Sequence, residues 1–154
     1  MKLAEALMNR ADLQRRIEQV RFRIRSNARY QEGEEPQEDP ATLVDDVSAA
    51  LDDLEELVVA INLTNALATL PSGRTMTSAL AHRETLRARH TLLTGAADAA
   101  QGAGGVHRQM RSELREFAAL PVKDLRSRAD DVARELRELD VEIQRTNWEV
   151  DVRE

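Results

Sequence analysis

The clearest pattern in the chain is an apolar row that returns every three or four residues through four separate stretches. In the second stretch it runs Val44, Val47, Leu51, Leu54, Val58 and Ile61, then continues through Asn65 to Ala68. That alternation is the seam of a coiled-coil-like helix. A second row, Leu43, Ala50 and Leu57, widens the seam into a face for two neighbouring helices. The far side carries Asp45, Asp46, Asp52, Asp53, Glu55 and Glu56, so it is expected to face water.

The same rhythm predicts a first helix over about 2–28, along Leu3, Ala6, Arg10, Leu13, Ile17, Val20, Ile24 and Asn27. A third is predicted over about 76–101, along Met76, Ala79, Arg83, Leu86, His90, Leu93, Ala97 and Ala100. The fourth, about 121–150, follows Val122, Leu125, Ala129, Val132, Leu136, Leu139, Ile143 and Val150. Arg126/Asp130 and Asp130/Arg134 are expected to support it as ion pairs along the helix.

The breaks between stretches have their own chemistry. Residues 31–39 form an acidic loop holding Gly33 and Pro36, and Asp39-Pro40 then supplies an N-cap and first residue for a helix over 40–69. Pro71-Ser72-Gly73 reads as a tight turn, with Thr75 or Thr77 capping the third helix. Glycines from Gly102 to Gly105 end that helix and open an irregular segment over 102–120. Residues 1–154 are thus expected to form a single all-α domain, an antiparallel four-helix bundle or coiled-coil-like assembly of four long helices.

Composition narrows the chemistry. Aromatics make up 3% of the 154 residues and charged residues 32%, which suits aliphatic seams with solvated faces. A net charge of −6 argues against a nucleic-acid binder working through a basic surface. Cysteine is absent, which excludes disulfides, thiolate metal sites and cysteine nucleophiles. The opening MKLAEALMNR turns polar too early for a secretory signal, and nothing approaches the roughly 20 apolar residues of a membrane span. A soluble, cytoplasmic chain is expected, with no membrane association. The sequon Asn62-Leu63-Thr64 is discounted, because it falls within a predicted helix.

In an up-down-up-down bundle one end would gather Asn9, Arg10, Asn62, Asn65, Arg74, Arg83, Asn147 and Trp148. Asparagine both donates and accepts, and arginine offers a fork suited to carboxylate or phosphate. This end reads either as a polar layer that fixes helix register or as a pocket for a small anionic ligand. His90 lies in a seam, but no Glu-x-x-His pair accompanies it, and neither His82 nor His107 completes a site, so no metal is expected. No nucleophile elbow, phosphate loop, dinucleotide fingerprint or zinc-protease motif occurs. The expectation is a protein that is not an enzyme and uses no cofactor.

Several segments in order along nearly the whole chain carry a family resemblance: MKLAEAL, QEGEEPQEDP, INLTN, LPSGRTMTSAL and RELDVEIQRTNW. They resemble the septicolysin-like proteins, a family of small bacterial helical proteins. The resemblance implies, through the family label, a pore-forming cytolysin. Three functional readings therefore stand side by side. The first is self-association as a homo-oligomer or binding to another protein. The second is small-anion binding at the Asn/Arg end, and the third is pore formation.

Overall fold

The structure, a computed structural model, describes residues 1–102 and 116–153. It is all-α, with the four helices where the apolar rhythm places them: α1 Leu3–Asn27, α2 Pro40–Leu67, α3 Met76–Ala100 and α4 Val122–Glu149. Among the described residues no strand exceeds an isolated bridge. Most of the segment expected to be irregular, together with His107, lies outside the described residues. The chain divides into two compact units, Met1–Thr69 with Gln144–Glu154, and Leu70–Ile143.

In the first unit α1 packs on α2. Ile17 and Val20 meet Leu43, Val47 and Ala50 in a continuous apolar cluster, with Ile24 and Leu54 against its edge. Burial of each large aliphatic side chain there contributes about 1.5–3 kcal/mol. The α1 seam is the predicted one. The α2 seam is corrected: Val44 and Leu51 stand 47% and 48% exposed, while Leu43 and Ala50 keep only 6% and 7%. Both rows share Val47, Leu54 and Ile61, so a rotation of about one residue position separates them. The helix turns the way that places small Ala50 toward α1 and leaves bulkier Leu51 outside, which lets the two helices pack closely.

The link between α1 and α2 is held by Asn27, a seam residue that is polar and buried. Its Nδ2 donates to the Arg23 carbonyl at 2.9 Å, and its Oδ1 accepts from the Glu38 amide at 3.2 Å. Arg23 completes the clasp with a two-pronged pair to the Glu38 carboxylate, Nε at 2.8 Å. Asp39 then caps α2, accepting from the Ala41 amide at 3.0 Å and the Thr42 hydroxyl at 2.7 Å, with Pro40 as first helical residue.

The second unit opens on a turn in which the Gly73 amide donates to the Leu70 carbonyl at 2.8 Å. Gly73 has φ +83°, the left-handed region that glycine enters without strain. Thr75 caps α3 by accepting from the Ser78 amide at 3.2 Å. Met76, Ala79, Leu86, Leu93 and Ala97 are buried, as the seam requires, and Leu125, Ala129, Val132, Leu139 and Ile143 are buried on α4. The two helices run antiparallel: His82 near the start of α3 meets Glu135 at 3.0 Å, and Asp98 near its end meets Arg126 at 2.6 Å. The expected Arg126/Asp130 and Asp130/Arg134 pairs give way. Arg126 reaches across to Asp98 and to Gln101 at 2.8 Å, and Arg134 pairs with Asp131 at 2.5 Å.

Candidate functional site

The most distinctive surface in the first unit is the side of α2 opposite its buried row. Positions 52, 56, 59, 63 and 66 recur by four and three, so they share one face of the helix. The N-terminal part of that face is acidic and the C-terminal part apolar. Val59 and Leu63 stay 51% and 49% exposed, and Leu67 beyond them is exposed too. Isolated exposed leucines are ordinary, but a contiguous run beside a concavity marks a contact surface.

A concavity of about 720 Å³ follows this face. Its floor is Leu57, Val59, Ala60 and Leu63, and its rim is Asp52, Asp53, Glu55 and Glu56. Met1 and Val152 close one end. α2 holds six carboxylates and neither lysine nor arginine. Among the described residues none of these carboxylates forms an ion pair, and all six are exposed. The four on the rim therefore project a negative potential along an apolar strip.

The end of the groove is built by the chain's two ends, tied together and to α2. The Leu3 amide donates to the Val150 carbonyl and the Val152 amide to the Met1 carbonyl, both at 2.9 Å. Lys2 Nζ pairs with Asp151 at 2.9 Å and donates to the Glu149 carbonyl at 3.1 Å. Lys2 holds the Asp151 carboxyl below the usual aspartate range, chiefly through that hydrogen bond. Thr64, in the buried row of α2, accepts from the Arg153 amide at 2.9 Å while its own hydroxyl donates to the Ala60 carbonyl at 2.8 Å.

Six of the eight residues singled out from the sequence lie in this first unit: Asn9, Arg10, Asn62, Asn65, Asn147 and Trp148. The terminal ties bring together the start of α1, the end of α2 and the end of α4 that carry them. Asn9 donates to the Met1 sulfur at 3.2 Å, Asn62 and Trp148 are exposed, and Asn65 is half-buried. Asn147 is 6% exposed, and its side chain makes no hydrogen bond among the described residues. Arg10 is half-buried, and its Nε is enclosed without a hydrogen-bond partner. Arg74 and Arg83 belong to the second unit. Arg74 is exposed, whereas Arg83 is half-buried, with Nε 3.4 Å from Glu84 and Nη1 3.8 Å from Asp140.

His90 is half-buried, and His82 is engaged by Glu135. Among the described residues no group of three or more histidine, cysteine, aspartate or glutamate side chains is placed to hold a metal ion. None of the described helices is long and apolar enough to cross a membrane. The α2 groove was missed by reading the seam alone. Its signal was present in the four-three spacing of Asp52, Glu56, Val59 and Leu63, a second row on the face assigned to water.

Comparison with known proteins adds the family. A model of a family of unknown function, DUF6847, matches residues 10–152. Among solved structures, the crystal structure of a functionally unknown conserved protein from Corynebacterium diphtheriae is 34% identical, with a TM-score of 0.90 over 99% of each chain. No curated protein matches. A family match across nearly the full length, joined to that structural likeness, means that the chain belongs to the family of unknown function DUF6847.

Proposed function

We propose that this protein works by protein–protein association rather than catalysis, and that the α2 groove docks an amphipathic helix of positive charge. One observation carries the reading: an apolar floor of Leu57, Val59 and Leu63 lies open beneath a rim of carboxylates that have no ion-pair partners among the described residues. An incoming helix would bury its apolar face on that floor and offer lysine or arginine to the rim, the helix-in-groove mode of recognition. A labelled synthetic helix of leucine and lysine in heptad register serves as the probe in fluorescence anisotropy. Saturable binding is expected, with a loss of at least ~10-fold in affinity for Val59→Asp with Leu63→Asp at unchanged helicity. Binding that ignores both substitutions would overturn the proposal.

A second reading, a small-anion site at the Asn/Arg end, is supported by the unpartnered Arg10 Nε and the buried Asn147. A guanidinium edge enclosed without an acceptor favours a bound anion, and a ligand present at 100 times its Kd stabilises by about 2.7 kcal/mol. Thermal melting against phosphate, sulfate and dicarboxylates tests it. A rise in Tm that disappears in Arg10→Ala supports the site, and a flat response across the set removes it.

A further inference from the structure

We infer that the helix filling the α2 groove is α1 of a second copy of this chain, in a head-to-tail association. The inference rests on α2 being a docking surface and adds the identity of the occupant. Charge supplies the first argument. α2 carries six carboxylates and no cation, whereas α1 carries six arginines against three carboxylates. The two helices of one hairpin are therefore electrostatic opposites.

The outward side of α1 supplies the second. Met8, Arg15 and Phe22 are one heptad apart, so they share a face, and Arg25 flanks Phe22 at the i+3 position. Met8 and Phe22 stand 51% and 65% exposed. Arg25 has no ion-pair partner among the described residues, and Arg15 has only a neighbouring, exposed Asp12. Apolar side chains interleaved with arginine are the complement of an apolar floor rimmed by aspartate and glutamate. Arginine also keeps its charge at every relevant pH and forks onto carboxylates.

Geometry supplies the third. α1 and α2 lie side by side in the first unit. The groove of α2 and the outer face of α1 turn away from each other, so the contact is head to tail, each copy giving α1 to one neighbour and receiving it from another.

The test is a charge swap read by light scattering and equilibrium sedimentation. Wild-type protein is expected to self-associate at concentrations on the order of 10 µM, more weakly so in high salt. Reversing α2 (Asp52→Arg, Glu56→Arg) or α1 (Arg15→Glu, Arg25→Glu) is expected to weaken self-association by about 10-fold or more. Mixing the two reversed proteins in equal amounts restores association, because each then meets an opposite charge on both faces. Phe22→Ala, an exposed truncation, is read in the same way should a reversed variant lose helicity.

Wild-type self-association indifferent to the α1 changes, or reversed variants that fail to associate with each other, would overturn the α1–α2 assignment. A wild-type monomer that still binds the leucine–lysine probe removes the second copy as occupant and leaves the docking surface standing. A monomer that binds no such probe removes both.

Discussion

The amide of Arg153 donates to the hydroxyl of Thr64 at 2.9 Å, fixing the residues that follow α4 to a buried position on α2. Thr64 is 1% exposed, and its hydroxyl has both roles filled. Thr64→Val keeps the shape and removes the acceptor. Stability is expected to fall by about 1–2 kcal/mol in urea unfolding. The Arg153 amide should also lose its protection from hydrogen exchange ahead of the helices.

Asn27→Leu tests the link between α1 and α2. The substitution retains bulk but strips the Glu38 amide of its acceptor, at a cost of about 1–3 kcal/mol. Proteolysis within 31–37 is expected to accelerate more than global unfolding does, because the clasp holds the loop locally.

Acid sensitivity follows from three carboxyls. Arg23 holds Glu38 below its ordinary value of 4.5 through a side-chain hydrogen bond. The Thr42 hydroxyl and the Ala41 amide hold Asp39 below 3.8, and Lys2 does the same for Asp151. A carboxyl that releases its proton more readily when folded stabilises the fold above its unfolded value. That contribution disappears as pH falls through the lower folded value. The urea midpoint is therefore expected to be flat above about pH 5 and to drop below it. Glu38→Gln should shallow the drop, and high salt should do so as well.

Leu86 and Leu92 make a matched pair on α3, one fully buried and the other exposed. Leu86→Ala is expected to cost about 2–5 kcal/mol. Leu92→Ala should stay within about 0.5 kcal/mol. Equal effects in calorimetry would mean that the α3 seam is misassigned.

α1 and α3 were legible because each has a single apolar row, so the buried set from Leu3 to Asn27 and from Met76 to Ala97 follows from spacing alone. α2 was legible as a helix but not in its rotation. Two rows one residue apart compete there, and only the identity of the facing helix decides between Leu43/Ala50 and Val44/Leu51. Asn27 was legible as a polar residue in the seam, but its partner is the amide of Glu38, a contact that local spacing does not encode. Arg126 shows the same limit, since Asp130 is nearer in sequence but Asp98 is nearer in space. The polar candidates were found by counting helix ends. The groove beside them needed burial, because Asp52 and Glu56 conceal the apolar floor from any average taken along the helix.

The bridge between Lys2 and Asp151 brings the first and last turns of chain within one strand spacing, roughly 5 Å. Residues 2 and 151 are thus neighbours in space although almost the whole described sequence separates them. Joining residue 153 to residue 1 by a short glycine–serine linker, with an opening at exposed Gly33, should yield a variant with an unchanged far-ultraviolet spectrum.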